Sequence, residues 1–315
     1  MKIVVLDGYT LNPGDLSWEA LRELGEVTIY DHTPPDKCLE HASGAEIIFT
    51  NKTPLPGVVI QALPALRFIG VLATGYDVVD VKAAAARNIP VCNVAAYGSD
   101  SVAQMTFAHL LNLTNRVGMH AASVAVGDWS KCRDFCYWLS PVTELKDKVF
   151  GVVGFGRIGR EAARLAEAFK MKVLIYDMIN TGDIRQVDLS VLLKQSDVIS
   201  LHCPLTPETR NIINADAIKL MKKSAFLINT SRGQLIDNQA LADALRRGDI
   251  AGAGIDVLEQ EPPPLNHPLP AATNCFVTPH ISWASLEARQ RLMNIAVDNL
   301  CAFLAGNPVN VVNQP

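Results

Sequence analysis

Residues 149–159 read Val149-Phe150-Gly151-Val152-Val153-Gly154-Phe155-Gly156-Arg157-Ile158-Gly159. A short apolar run, suited to a buried strand, enters a triplet of glycines spaced G-x-G-x-x-G. From Arg160 to Lys170 the residues Ala162, Ala163, Leu165, Ala166 and Phe169 then fall at helical spacing. Strand, glycine turn and helix in that order are the context that a dinucleotide-binding fingerprint requires. Gly154 permits the tight turn, Gly156 lets the backbone approach a pyrophosphate, and Gly159 lets helix and strand pack closely. The helix N-terminus offers unpaired N–H groups and a positive dipole end to phosphates. The next apolar run, Lys172-Val173-Leu174-Ile175-Tyr176, ends in Asp177, near the separation of about 20 residues expected for a ribose-binding acid. A carboxylate there accepts hydrogen bonds from both ribose hydroxyls and repels a 2′-phosphate. Met178 and Ile179 follow, with no arginine beside them, so this stretch predicts NAD over NADP.

Outward from this unit, short apolar runs alternate with helical stretches in both directions. Before it, strands are expected at 3–6, 27–30, 47–50, 68–72 and 91–94, and helices at 18–24 and 81–87. After it, strands are expected at 197–201, 226–229, 253–256 and 276–278. Ser99-Asp100-Ser101 reads as a helix N-cap cluster. One long apolar helix is expected from about 102 to 126, broken by Gly127-Asp128-Trp129, and a last helix from about 286 to 304. Alternation of this kind predicts parallel sheets covered by helices. With 315 residues, two domains are expected. The fold class is therefore α/β with two doubly wound parallel sheets. A Rossmann-type NAD domain at 99–285 is inserted into a flavodoxin-like substrate domain made of 1–98 and 286–315.

Composition narrows the function classes. Hydrophobic residues make up 49% and charged residues 19%, ordinary for a globular protein. The formal net charge is −4, with no basic excess to neutralise phosphates over a broad face, so no nucleic-acid partner is expected. No apolar stretch is long enough to span a bilayer, and the first apolar run is too short for a signal peptide. The seven cysteines are odd in number and include no Cys-x-x-Cys; thiols in the cytoplasm are expected, and no metal site.

Three ionisable residues fall just after expected strands of the second series, at the edge where open α/β sheets bind ligands. Arg232 lies in Asn229-Thr230-Ser231-Arg232-Gly233, Glu261 in Asp256-Val257-Leu258-Glu259-Gln260-Glu261-Pro262, and His280 in Thr278-Pro279-His280. Singly, each could be a solvated charge or a structural histidine. Together they suit carbonyl reduction: charge building on the oxygen needs a proton donor, and histidine titrates in the right range. A carboxylate beside it favours imidazolium and orients the ring. An arginine can hold a substrate carboxylate bidentately and polarise the carbonyl.

Ordered motifs along the chain carry a resemblance. They are Val71-Leu72-Ala73-Thr74-Gly75-Tyr76-Asp77, Ser101-Val102-Ala103-Gln104, Gly151 to Gly159, His202-Cys203-Pro204-Leu205-Thr206, Asn229 to Gly233, Asp256 to Pro262 and Thr278-Pro279-His280. Over essentially its whole length the sequence resembles the D-2-hydroxyacid dehydrogenase family. The resemblance implies that His280 is the acid/base, Glu261 its partner and Arg232 the anchor for substrate carboxylate and carbonyl. It implies that N–H groups around Thr74 and Gly75 also hold the carboxylate of a small 2-keto or 2-hydroxy acid. For the cofactor it implies Arg157 and Ile158 about the phosphates and Cys203, Pro204 and Thr209 along the adenosine. Thr106, Thr230 and Asp256 lie toward the nicotinamide in the same reading. It further implies an active site in the interdomain cleft and a homodimer. Tyr97 to Gln104 and Asp134-Phe135-Cys136-Tyr137-Trp138 look most like the branch that acts on glycerate and hydroxypyruvate. In that branch Gln104 is common where glutamate is usual elsewhere. Trp138 reaches toward the neighbouring subunit's cleft in some relatives, and the bulky Trp283 would shape the pocket.

Other readings stay open. They are another small D-2-hydroxy acid such as D-lactate, and an NAD-sensing protein of the corepressor kind that dispenses with turnover. A formate-type enzyme ranks low, because glutamine stands there where Glu261 stands here. His202-Cys203 is discounted as a nucleophile pair, since adjacent strand residues face opposite ways. Lys222-Lys223 and Arg246-Arg247 read as solvated helix-end pairs.

Overall fold

The computed structural model describes residues 1–313. In chain order its strands and α-helices are β1 (Lys2–Val5), α1 (Glu19–Arg22), β2 (Glu26–Ile29), α2 (Cys38–His41), β3 (Ile47–Thr50), α3 (Gly57–Gln61), β4 (Phe68–Val71), α4 (Val81–Ala86), β5 (Val91–Cys92), α5 (Ser99–Asn115), α6 (Val117–Ala125), α7 (Asp128–Lys131), β6 (Val149–Val153), α8 (Arg157–Ala168), β7 (Lys172–Tyr176), α9 (Leu189–Gln195), β8 (Val198–Leu201), α10 (Ala215–Leu220), β9 (Phe226–Asn229), α11 (Asn238–Arg247), β10 (Gly252–Ile255), β11 (Cys275–Val277) and α12 (Leu286–Leu304). The chain divides into two compact units: Met1–Gly98 with the chain from Ala284 onward, and Ser99–Trp283.

In the first unit five parallel strands lie in the order β2-β1-β3-β4-β5, the flavodoxin-like arrangement. Every residue of β3 and β4 is buried, which is why both read as unbroken apolar runs rather than alternating ones. Val4, Ile48, Ile60, Ile69 and Val91 share one core. The last helix returns to this sheet. Ser285 caps α12 by accepting from the Ala288 N–H, and Phe303 places its ring 5.0 Å from that of Phe68 on β4. Arg289, almost fully buried, grips Asp15 with two bonds of 2.7 and 2.6 Å. The two-residue edge strand β5 is covered by residues 311–313. Cys92 bridges Val311, the Val312 N–H donates to Val91 O at 2.8 Å, and the Val91 N–H donates to Asn313 Oδ1 at 2.9 Å.

In the second unit six parallel strands lie in the order β11-β10-β9-β8-β6-β7. Beyond β7 a single parallel bridge joins Ile175 to Gln186, a rudimentary further strand. Counting it, the order is that of the Rossmann fold, reversing direction between β6 and β8. Two cores sandwich this sheet, one around Phe107, Phe150, Ala162 and Val173, the other around Leu192, Leu227, Leu241 and Ile255. The fold class expected from sequence is the one observed.

Two helical expectations need correction. The single helix expected over 102–126 is two helices, α5 and α6. Arg116 between them is left-handed (φ 47, ψ 43), with its guanidinium donating to Asn274 Oδ1 at 2.9 Å. Just before it, the Thr114 hydroxyl bonds back to Leu110 O at 2.9 Å and to Asn115 Oδ1 at 2.8 Å. Apolar spacing runs through the break because it senses burial, while side-chain bonds to nearby groups decide the turn. Ser99-Asp100-Ser101 does not precede the helix but forms the first turn of α5, and Ser101 donates to Ser282 O at 2.7 Å. Lys222 likewise is not merely solvated: it pairs with Asp197 at 2.9 Å, whose other oxygen accepts from the Val149 N–H that opens β6.

Candidate active site

β9, β10 and β11 lie side by side, and each is followed, in the loop after its C-terminal end, by one of the residues singled out above. After β9, Asn229 shapes the turn: its Nδ2 donates to Arg232 O at 2.8 Å and its Oδ1 accepts from the Ser231 N–H at 3.0 Å. Gly233 then runs against the Leu258 carbonyl group, which a Cβ would overlap. Arg232 is exposed; it donates to Ser231 O at 2.7 Å, and among the described residues no carboxylate pairs with its guanidinium.

After β10 the chain turns so that the Leu258 N–H donates to Glu261 Oε1 at 2.9 Å, while Glu261 Oε2 meets His280 Nδ1 at 2.6 Å. Glu261 and His280 are thus brought into direct contact across 19 residues of sequence. The carboxylate accepts a hydrogen bond from Nδ1–H, which leaves Nε2 as the nitrogen for exchange with a ligand. Both side chains are about one-third exposed, open enough for a substrate to reach.

His280 sits in the left-handed region (φ 54), which costs about 1–2 kcal/mol for a residue other than glycine. Its surroundings hold it there. The His280 N–H donates to Asp256 O at 2.8 Å, and Trp283 Nε1 donates to His280 O at 2.9 Å. The buried Asp256 carboxylate accepts from the Ile281 N–H (2.9 Å), the Ser282 N–H (2.8 Å) and Thr278 Oγ1 (2.5 Å). Asp256, expected to lie toward the nicotinamide, has both oxygens turned to this turn. Thr278 also meets His109 Nε2 at 3.1 Å. Burial pushes the His109 imidazole below its ordinary pKa, with the Asp256 charge opposing. A neutral His109 donates from Nε2 to Thr278, which donates onward to Asp256. The sequence reading missed His109, and it missed that Trp283 braces the His280 carbonyl.

The glycine turn stands at the reversal of the sheet. Gly154 is left-handed (φ 95), and a Cβ on it would lie 2.5 Å from the Cys203 nitrogen, so the two loops meet backbone to backbone. Gly159 passes over the Gly154 carbonyl, which a Cβ would overlap. A Cβ on the exposed Gly156 would meet nothing within 4 Å, so the space above the α8 N-terminus is open. Arg157 and Ile158 open that helix, and its first two N–H groups have no carbonyl partner within the helix. Asp177 accepts from the Phe155 N–H at 2.7 Å through Oδ2 and from the Ile179 N–H at 3.2 Å through Oδ1. Each oxygen keeps a lone pair for one ribose hydroxyl. Beside it lies a cavity of about 440 Å³ lined by Tyr176, Asp177, Gln186, Val187, Asp188 and Val191. Open space over free N–H groups, a carboxylate for the ribose and an adjoining cavity fit NAD.

The remaining expected residues are placed as follows. Thr106 and Thr230 meet, hydroxyl to hydroxyl, at 3.3 Å. Thr209 is buried and bonds Pro204 O at 2.7 Å, so its hydroxyl closes the loop that follows Cys203. Burial lifts the Cys203 thiol to about 11 and pulls His202 down to about 4, so both are neutral at pH 7; His202 Nε2 meets Ser200 Oγ at 2.9 Å. In the first unit Thr74 donates to Val94 O at 2.9 Å, and Gly75 follows it in the loop after β4. Among the described residues no three His, Cys, Asp or Glu side chains gather as metal ligands, and no helix is long and apolar enough to cross a membrane.

Fold and site together define an NAD-linked oxidoreductase with a histidine–carboxylate pair at the ligand edge of its Rossmann sheet. Residues 107–282 match the family model described as D-isomer specific 2-hydroxyacid dehydrogenase, NAD binding domain. A hydroxypyruvate reductase of Blautia hydrogenotrophica is 49% identical, with 100% of both chains aligned. A glycerate dehydrogenase of Methylorubrum extorquens is 43% identical over 99% of this chain and 98% of its own. Among solved structures, the TT0316 protein of Thermus thermophilus superposes with a TM-score of 0.88 at 35% identity, covering 99% of this chain and 100% of that one. The chain belongs to the D-isomer specific 2-hydroxyacid dehydrogenase family and is an NAD-dependent oxidoreductase acting on the CH–OH group of 2-hydroxy acids.

Proposed function

We propose that this enzyme interconverts hydroxypyruvate and D-glycerate, acting in the cytoplasm as a homodimer. The observation that carries the chemistry is the 2.6 Å contact between Glu261 and His280 on a turn locked from both sides. The full-length similarity to a hydroxypyruvate reductase and a glycerate dehydrogenase supports the substrate. Bound NADH would supply a hydride, one proton with two electrons, to the 2-keto carbon. His280 gives a proton from Nε2 to the oxygen on that carbon, and Glu261 stabilises the imidazolium before the transfer. Arg232, exposed and unpaired with any described carboxylate, binds the substrate carboxylate and draws charge toward the carbonyl oxygen. Asp177 selects NADH through the ribose, and the α8 N-terminus takes the pyrophosphate.

The homodimer is supported by the segment around α7. There the Ser123 hydroxyl donates to Asp128, Tyr137 donates to Ser123, and Trp129 Nε1 donates to Phe135 O. These bonds fix an arm whose Phe135 and Trp138 side chains are 90% and 70% exposed, more apolar surface than a lone chain ordinarily shows water. The cytoplasmic reading rests on seven free cysteines.

The test is NADH oxidation against hydroxypyruvate, glyoxylate, pyruvate and bulkier 2-keto acids, each repeated with NADPH. Hydroxypyruvate should lead in kcat/KM by at least about tenfold, or about 1.4 kcal/mol of transition-state binding. A lead for pyruvate would move the enzyme to the D-lactate type. NADH binding without turnover of any keto acid would move it to an NAD-sensing role.

A further inference from the structure

Gln186 lies outside every motif singled out in the sequence, yet its carboxamide makes more bonds than any other in the cofactor region. Its Nε2 donates to Asp177 O at 3.2 Å and to Ile179 O at 3.0 Å. Its Oε1 accepts from the Thr181 N–H at 2.8 Å and from Thr181 Oγ1 at 2.7 Å. The residue is held in place by the sheet: the Ile175 N–H donates to Arg185 O at 3.0 Å and the Val187 N–H donates to Ile175 O at 2.8 Å. One side chain therefore closes the loop from Asp177 to Gln186 from within, and it lines the same cavity as Asp177.

The link to Asp177 is specific. Ile179, whose carbonyl Gln186 holds, is the residue whose N–H donates to Asp177 Oδ1. Fixing Ile179 fixes the carboxylate and keeps an oxygen facing the cavity. The two nearest arginines differ in what holds them. Arg185 pairs with Asp183 at 2.6 Å and with Glu167, and Arg160 stacks on the Phe155 ring at 4.4 Å. While the loop is closed, a 2′-phosphate meets the Asp177 charge, and the Arg185 guanidinium is already paired with carboxylates.

We propose that Gln186 is a positioning residue for cofactor choice, holding the Asp177 loop shut so that NADH is taken and NADPH refused. This rests on the reading of Asp177 as the ribose acid, and the experiment separates the two. Dissociation constants of NADH and NADPH are measured by cofactor fluorescence for the wild type, Gln186→Met, Asp177→Ala and the double variant. Gln186→Met should lower the preference for NADH about tenfold, chiefly by weakening NADH, with kcat at saturating NADH unchanged. In the Asp177→Ala background the same substitution should change the preference little, because its effect runs through that carboxylate. Thr181→Val removes one of the four bonds and should lower the preference about threefold; it decides the matter by the same cycle if Gln186→Met does not fold. Equal weakening of both cofactors, or an equal effect with and without Asp177, overturns the role of Gln186 alone. An unchanged preference in Asp177→Ala overturns the ribose reading and the role of Gln186 with it.

Discussion

The two sheets of this protein are built alike and used differently at the corresponding place. Both are parallel, and in both the chain leaves the first strand at the point where the strand order reverses. In the second unit that exit is Gly154 to Gly159, and the helix N-terminus behind it faces open space. In the first unit the exit is Asp7-Gly8. The buried Asp7 carboxylate accepts from the N–H groups of Asn51 (2.8 Å), Lys52 (2.5 Å) and Thr53 (2.8 Å). Three donors that could hold an anionic ligand are taken by the chain's own carboxylate. A doubly wound sheet thus supplies a place for an anion, and a single acidic side chain decides whether a cofactor or the protein fills it.

The largest break in that contrast should come at the open edge. His280→Ala is expected to lower kcat by about 10²–10⁴ while the dissociation constant for NADH, measured by fluorescence, changes little. Turnover that survives would remove His280 as the proton donor. At the closed edge the effect should be on folding instead. Asp7→Ala leaves three N–H groups of one loop without their acceptor and should lower stability by about 2–4 kcal/mol, read as a shift in urea midpoint. NADH affinity should be unchanged, and a loss of NADH binding as large as the loss of stability would erase the distinction between the two exits.

A smaller effect sharpens the contrast by pH. His202, beside the open edge, is held down to about 4 by burial, and its Nδ1 is a buried atom with no partner among the described residues. Unfolding raises this group to its ordinary value near 6.5, so the unfolded chain binds the extra proton between those values. The stabilisation is therefore fully present above about pH 6.5 and is lost as the pH falls toward 4, on the order of 1–3 kcal/mol in all. His202→Phe should flatten the fall in melting temperature across that window. An unflattened profile would assign the acid loss to other groups.

Much of this was legible in the chain itself. Strands such as 47–50 and 149–153 announced themselves as apolar runs because both faces of a parallel sheet are buried. The glycine spacing and Asp177 were legible because each glycine answers a local steric demand. Arg232, Glu261 and His280 were visible only as a set, after three separate strands, with roles that the chemistry suggested and family likeness assigned. The break at Arg116, the brace from Trp283, the His109–Thr278–Asp256 chain and the Gln186 clamp were not legible. Each is a polar bond between one side chain and one backbone or hydroxyl group. His109 and Thr278 stand 169 residues apart, and no periodicity records such a pair.

The seam between β5 and the residues near Val311 has a consequence during synthesis. Val91 waits for Asn313, which the ribosome adds 222 residues later. At about 5–20 residues per second, the edge of the first sheet stays open for about 10–45 s while the whole cofactor unit is made. An unpaired strand edge is where chains stick to one another. The newborn protein is therefore exposed to aggregation through this edge in that interval.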